Sequence, residues 1–465
     1  MDALTDLLSL LASNIWIYGG SFLLVLSILI LVHEWGHYAA ARLCGVRVDE
    51  FSLGMGREMF GFRSKSGTRW KVCLLPIGGY VKMFGDTDPA GAGKTDQVRD
   101  GTDALARPMT DDERKQAFFS KSILQRSFIV FAGPGINFLF AVLLLAGLFM
   151  TQGREIIPAT ITGVQVGSPS ERAGFLPGDQ VLTMDGETIE SFDHMRRKVM
   201  IALDTPIEVT LLRGSDTIQK TITPKRMEGE DRFGFKHERG YIGTLGPSYG
   251  LDLKAIVKVD GVSTDKNPDN VRTLILRKIG NGPFRIATAD VDGMDEVVVN
   301  PSKKANEGMR DPNAKTYNAL VLTSPDSVIY KKYAPVQAVG EAVFQTYQIS
   351  VDSLKALGQI VMGTRSPTEL GGVIRIGTVA GDMAQAGLIA FISFTALLSI
   401  NLGLINLFPI PMLDGGHLTF YAIEAIRGGR PIPERAQEYA FRFGLVVLVF
   451  LMVFSNLNDI LQLIL

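Results

Sequence analysis

The chain has 465 residues, room for roughly two to four domains, and its 47 Lys and Arg nearly balance 48 Asp and Glu. A formal net charge of -1 gives no support to nucleic-acid binding, while 46% hydrophobic residues and a positive mean hydropathy fit a membrane protein with a sizeable polar portion. Cys44 and Cys73 are the only cysteines, which excludes a disulfide-rich scaffold.

Residues 1–41 carry the first predicted transmembrane helix, from about Ile15 to Ala41. The segment lacks a basic leader and a small-residue cleavage site, so it is expected to stay in the membrane. It runs into His33-Glu34-Trp35-Gly36-His37, an H-E-x-x-H element. On a helix this pattern puts two imidazoles four residues apart on one face, able to grip one Zn²⁺, with Glu34 between them placed to deprotonate a water. The bland alternative is an amphipathic helix end whose polar residues face water. Only five His occur in the chain, and ionisable groups at membrane depth are costly, so the metal reading is the stronger one.

Residues 42–127 read as a loop with a membrane-associated β segment. Val48 to Phe62 and Arg69 to Met83 alternate polar and apolar residues around the turn-like Ser64-Lys65-Ser66-Gly67. Gly54 and Gly56, with Gly78 and Gly79, suit tight turns or a backbone approached closely by another chain. The Gly-, Asp-, Thr- and Pro-rich stretch from Asp86 to Asp112 reads as a linker. A second span is expected over 128–150, irregular near its start because of Gly133-Pro134-Gly135 and Asn137.

Over 159–226 the order of elements resembles a bacterial PDZ domain: a strand at Ile161 to Val164, a short helix at Ser168 to Gly174, and a strand at Gln180 to Met184. An Asp185-Gly186 turn, a helix at Phe192 to Ala202 and two strands at Ile207 to Leu212 and Thr217 to Thr223 complete it. Such domains bind extended peptide ends by adding a strand to an open edge; a small β-rich domain without a ligand is the alternative. Residues 251–333 read as a degenerate second PDZ-like unit or an unrelated β-rich insertion, since Ala255 to Val262 echoes Val181 to Ile189 without the elements that should precede it. Residues 335–363 show helical apolar spacing and are expected to lie on the membrane surface. A third span with an Asp-containing motif follows over 387–417, and a fourth with its tail over 441–465.

Lys and Arg cluster after the first span, before the second, and between the third and fourth. By the positive-inside rule these loops are cytoplasmic, and the termini and the PDZ-like region are extracytoplasmic. The expected fold is a multi-pass α-helical membrane protein with four transmembrane helices, a β-rich reentrant segment on the cytoplasmic side and an extracytoplasmic PDZ-like α+β insert.

Two His make only half of a catalytic zinc site. His194 and His237 fall in the outer region. The stretch Asn406-Leu407-Phe408-Pro409-Ile410-Pro411-Met412-Leu413-Asp414-Gly415-Gly416-His417 is different. Its prolines end a helix and free backbone groups that lipid cannot satisfy, so it must line protein or water, with Asp414 apt to bind a cation. His417 reads as a loop residue outside the metal's ligands.

H-E-x-x-H in the first span, together with N-x-x-P-x-P-x-L-D-G-G before the last, resembles the site-2 family of intramembrane zinc metalloproteases. Four spans, an external PDZ insert and the Phe51-Ser52-x-Gly54-x-Gly56 strand are similar to its bacterial members. The resemblance covers both ends of the chain and the first PDZ-like unit, and is weak from Leu251 to Tyr333. It implies one Zn²⁺ per chain held by His33, His37 and Asp414, Glu34 as general base, and Asn406 positioning substrate or stabilising an oxyanion. A helix-packing hydrogen bond is the alternative for Asn406. The implied substrate is a single-span membrane protein such as an anti-sigma factor. It would be cut in or near its span after an earlier extracytoplasmic cut, in the bacterial inner membrane, with the active site toward the cytoplasm. Cutting inside a bilayer needs an extended substrate, and the strand carrying Gly54 and Gly56 is the expected edge on which it pairs. Two other classes compete: a PDZ-containing membrane scaffold or chaperone with a structural zinc, and an ion or metal transporter. The first calls for four closing ligands and the second for an internal repeat, and neither is evident.

Overall fold

The computed structural model describes residues 2–85, 97–98, 107–230, 236–246, 251–265, 267–288, 296–314, 316–322 and 329–464. Helix α1 (Asp2–Leu43) continues without a break through the H-E-x-x-H element and ends where Gly45 takes a left-handed φ of 69°. Strands β1 (Val48–Arg63) and β2 (Arg69–Met83) follow, joined through a turn in which the Gly67 N–H donates to the Ser64 carbonyl. Both strands are long and bent, so the sheet folds back on itself: Phe51 pairs with Val81 on one side and with Trp70 on the other. The Phe51 and Trp70 rings stack at 4.2 Å, and Tyr38 of α1 meets both edge-on. This aromatic cluster seats the sheet on α1, with Val46, Val48, Val81 and Met83 buried around it.

Most of the expected linker over 86–112 lies outside the described residues. Its last two residues open a short helix, α2 (Asp111–Gln116), started by a reciprocal capping box between Thr110 and Glu113. Helix α3 (Ile123–Thr151) starts at a second capping box, Ser122 with Gln125. The irregularity expected at Gly133-Pro134-Gly135 does not occur; α3 is a continuous helix with Pro134 inside it. The small residues serve contact between helices instead. A Cβ on Gly36 of α1 would stand 2.3 Å from the Ala132 carbonyl oxygen, and one on Gly133 would stand 2.3 Å from the His37 ring. Glycine at these two points lets α1 and α3 approach backbone to backbone.

Beyond α3 the chain builds two α+β units with separate buried cores, one around Ile161, Met184, Met195 and Leu211, the other around Ile256, Val271, Ile275 and Val299. The first contains α4 (Pro169–Arg172), capped by Ser168, and α5 (Phe192–Ile201), and its Asp185-Gly186 turn has both φ values positive, as a type I′ hairpin requires. The second repeats the order: strand 256–259, a positive-φ Asp260-Gly261 turn, strand 262–263, helix α6 (Pro268–Lys278), then strands 284–288 and 296–299. The units are not divided as the sequence boundaries suggest. Residues 163–165 of the first pair with 297–299 of the second and with 244–245, so a strand of the first unit completes the sheet of the second.

Helix α7 (Pro335–Val361) is expected on the membrane surface, but one face is packed along the bundle. Ala338 and Ala342, one turn apart, fit against Ala141, Leu145, Ala396 and Ile400, and Ser353 donates to Asn401 at 3.0 Å. Small side chains on that face let it sit on its neighbours. Helices α8 (Val373–Gln385), α9 (Leu388–Asn406), α10 (Asp414–Ile426) and α11 (Glu434–Ile464) complete the chain. Four segments are long and apolar enough to cross a bilayer: Trp16–Leu43, Ile123–Thr151, Leu388–Asn406 and Glu434–Gln462. The chain is an integral membrane protein.

Candidate metal centre

His33 and His37 project from one face of α1 and meet Asp414, the first residue of α10. His33 Nε2 lies 3.2 Å from Asp414 Oδ2, His37 Nε2 lies 3.5 Å from Asp414 Oδ1, and the two Nε2 atoms are 3.2 Å apart. Ligand bonds of about 2.0–2.1 Å at tetrahedral angles put neighbouring donor atoms about 3.3 Å apart, so each of these separations suits a pair of zinc ligands, with the two rings meeting different oxygens of the Asp414 carboxylate. The His37 Nδ1–H donates to the Ile129 carbonyl at 2.9 Å, which leaves Nε2 of the neutral ring with its lone pair facing the other two donors. Converging lone pairs repel one another unless a cation lies between them. Among the described residues this group is three ligands with no cysteine, the open set of a catalytic zinc site rather than the closed set of a structural one.

Local sequence explains how Asp414 reaches the histidines. Helix α9 stops at Asn406, and Pro409 and Pro411 prevent the chain from resuming a helix at once. Met412 then takes a φ of 89°, a left-handed conformation costly for a bulky residue, and α10 begins two residues later. Gly415 and Gly416 are required beside it, because a Cβ on either would fall 2.2–2.4 Å from the carbonyl oxygens of Leu407 and Ile410. Asp414 also sits in the first turn of α10, where the helix dipole favours a negative charge. Deeper in α10, Glu424 forms a buried ion pair with Arg126 of α3 at 2.7 Å, which ties the helix carrying Asp414 to the helix backing His37.

His33, His37 and Asp414 line a cavity of about 230 Å³ together with Glu34, Asn406 and His417. Glu34 and Asn406 therefore share the space in front of the two histidines and Asp414. His417, expected in a loop, stands on α10 with its ring 5.3 Å from that of Phe441. Gly54 and Gly56 do not line this cavity; the β-sheet residues that do are Gly79, Tyr80, Val81 and Met83 of β2. Residues 51–53 of β1 have β2 residues on both sides and offer no unpaired edge, while Met55, between Gly54 and Gly56, pairs with Leu75. Gly54 and Gly56 instead take φ values of 86° and 89° and bend β1, with Gly54 tight against the Leu75 carbonyl. Residues 79–83 pair with β1 on one side, and Gly79 presses on the helix, where a Cβ would come 2.9 Å from Glu34 Cγ. Tyr80 is held by its hydroxyl, which donates to Glu50 Oε2 at 3.0 Å, while Lys71 binds the same oxygen at 2.6 Å.

Sequence reasoning passed over two groups that contact the ligands. One is the Ile129 carbonyl, which no sequence pattern identifies. The other is Asn137, fully buried in α3 with its amide 3.1 Å from His33 Nδ1. A lone polar residue inside an apolar span was the available signal.

Comparison with known proteins agrees with this geometry. Residues 21–451 match the model of Peptidase family M50. A protein of Agrobacterium fabrum, provisionally named a zinc metalloprotease, is 36% identical over 443 residues, covering 95% of each chain. A similarly named protein of Rhizobium meliloti is 35% identical over 97% of this chain and 99% of its own. The regulator of sigma E protease of Haemophilus influenzae is 30% identical over 96% of this chain and 98% of its own. With the family matched across nearly all of the chain and a His-His-Asp group at its centre, the protein belongs to peptidase family M50, the zinc metalloproteases of site-2 type.

Proposed function

We propose that this protease hydrolyses a peptide bond in or near the transmembrane segment of a single-span membrane protein, with Glu34 as general base and His33, His37 and Asp414 as the zinc ligands. The observation that carries this reading is the convergence of two imidazole Nε2 atoms and the Asp414 carboxylate, with contacts of 3.2–3.5 Å, and Glu34 in the same cavity. Zinc, when bound, supplies Lewis acidity for a carbonyl oxygen and makes a water acidic enough to ionise near neutral pH. Glu34 would take a proton from the attacking water and return it to the leaving amine nitrogen. Asn406, in the same cavity, is suited to donate from its amide to the developing oxyanion.

A helical substrate shields its own peptide bonds, so it must be held extended. The edge of residues 79–83, beside Glu34, is suited to pair with an unwound segment as an added strand. The exposed apolar residues Met59, Phe60 and Leu74 at the far end of the sheet fit a reentrant segment dipping into lipid. The Lys and Arg bias puts this sheet and the metal centre toward the cytoplasm of a bacterial inner membrane, with the termini and both α+β units outside.

The first α+β unit reads as a PDZ domain. A groove of about 590 Å³ runs between α5 and the backbone of residues 240–246, lined by Ile157, Met195, Val199, Ile242 and Leu245, and suits an extended peptide end. The strand beside it is linked to the bundle: the Glu238 N–H donates to Glu369 at 2.8 Å, and Arg226 donates to the Thr364 carbonyl at 2.6 Å. Such a linkage suits a gate that admits a substrate, such as an anti-sigma factor, once an outer cut has shortened it.

The test uses full-length protein in proteoliposomes with a labelled single-span substrate. Glu34→Gln should retain zinc and lose about 10²–10⁴-fold in cleavage rate. Normal cleavage by this variant would overturn the assignment of the base, and loss of its zinc would make Glu34 part of the metal's support instead.

A further inference from the structure

We infer that Asn137 is a positioning residue for the metal centre. Its side-chain carbonyl accepts the Nδ1–H of His33, which keeps His33 Nε2 free to bind the cation. The inference rests on the zinc-ligand reading proposed above for His33, His37 and Asp414.

Asn137 lies in the apolar middle of α3 and is wholly buried. Its backbone carbonyl accepts from Ser399 of α9 at 2.8 Å, and its amide meets His33 Nδ1 at 3.1 Å. The two ends of an amide have the same shape, so the chemistry of the ring decides which end faces it. If the NH₂ faced Nδ1, the neutral ring would carry its proton on Nε2, the atom 3.2 Å from both Asp414 Oδ2 and His37 Nε2. That tautomer cannot ligate a metal. With the NH₂ there, Asn137 Oδ1 is also buried with no hydrogen-bond partner among the described residues, a costly position for an acceptor. With the amide turned over, Oδ1 receives the Nδ1–H and the ring becomes a ligand.

The two histidines then follow one rule. His37 donates its Nδ1–H to the carbonyl of Ile129, and His33 donates its own to the side chain of Asn137, both on α3. Ile129, Gly133 and Asn137 are spaced four apart on α3, as His33 and His37 are on α1. They form one ridge, with an acceptor at each end and, in the middle, a glycine against which the His37 ring lies. Metal-binding histidines are commonly oriented by such a second acceptor, and its loss costs about 10–100-fold in metal affinity. Helix α3 is therefore the template that sets both tautomers before the ion arrives.

The experiment is zinc binding by purified full-length protein under chelator competition, with His33→Ala as the reference for a lost ligand. Asn137→Leu should weaken zinc binding about 10–100-fold. Asn137→Asp, which keeps an acceptor, should bind more tightly than Asn137→Leu, and Ser399→Ala, which touches only the Asn137 backbone, should bind as wild type does. Cobalt-substituted protein should show altered visible bands in Asn137→Leu but not in Ser399→Ala. Should that variant not fold, ¹⁵N-histidine spectra of the wild type decide the matter: His33 should carry its proton on Nδ1, and a proton on Nε2 overturns the inference. Wild-type affinity in Asn137→Leu, alongside lost binding in His33→Ala, overturns the role of Asn137 while leaving the zinc reading intact. Undiminished binding in His33→Ala overturns both.

Discussion

Gly133→Ala is the sharpest test of how the metal ligands are held. A Cβ at this position would fall 2.3 Å from His37 Nε2, 2.4 Å from Cε1 and 2.9 Å from Cδ2. Ordinary non-bonded contact needs about 3.5 Å, so the methyl and the ring must separate by about 1 Å. The ring has little room to yield, because its Nδ1–H is bound to Ile129 and its face meets the His33 ring edge-on at 4.8 Å. The helices cannot simply part either, since Gly36 is already tight against the Ala132 carbonyl. Overpacking of this kind costs about 1–3 kcal/mol. If the strain falls on the ligand, each 1.4 kcal/mol is a tenfold loss, so zinc affinity should drop about 5–150-fold. The assay is chelator competition on purified protein, with Gly147→Ala as a control on the same helix, where nothing lies within 4 Å of the added methyl. The reasoning is refuted if Gly133→Ala holds zinc as tightly as wild type and melts at the same temperature.

Three further outcomes are expected. Gly79→Ala puts a methyl 2.8 Å from Ile30 Cγ2 and 2.9 Å from Glu34 Cγ, so cleavage should fall at least tenfold while zinc content stays full; loss of zinc instead would place the damage on the ligands. Arg126→Met leaves the Glu424 carboxylate buried without its 2.7 Å partner and should destabilise the protein by about 3–5 kcal/mol in a denaturation assay. The double variant with Glu424→Met should be more stable than the single one, and the reverse order would refute the argument. Burial, helped by Arg197 and Lys198, holds His194 below its ordinary value of 6.5 although Glu187 accepts from it. A lowered folded-state value means that the stability tied to neutral His194 is present above pH 6.5 and is lost as pH falls through the folded value. Gln348 of α7 donates to the same Glu187 carboxylate at 3.0 Å. The melting temperature should fall less between pH 7 and about 5 in His194→Gln than in wild type; equal slopes would show that His194 is not the group responsible.

The parts of this protein readable in the sequence are those decided over short stretches of chain. Apolar length marked the four spanning helices, and helical spacing put His33 and His37 on one face of α1. The Asp185-Gly186 pair marked a hairpin turn, because a type I′ reversal in two residues needs positive φ at both positions. Even there, Gly133-Pro134-Gly135 read as an irregularity, because propensity does not register a neighbouring helix that needs the space.

What depends on packing between distant segments was settled only by the tertiary structure. Asp414 was a plausible cation ligand in the sequence, but its distance to the histidines follows from the Met412 turn, from Gly415 and Gly416, and from the tie between Arg126 and Glu424. That residues 79–83, and not Gly54 and Gly56, line the cavity with Glu34 follows from the way the long strands fold back, with residues 51–53 flanked on both sides. The acceptors that orient the histidines, a backbone carbonyl and an asparagine that looked like a helix irregularity, became visible only when α3 lay against α1. Periodicity and turn chemistry are properties of a few consecutive residues. Register, close approach and the partner of a buried proton belong to pairs of elements, and those exist only once the chain has packed.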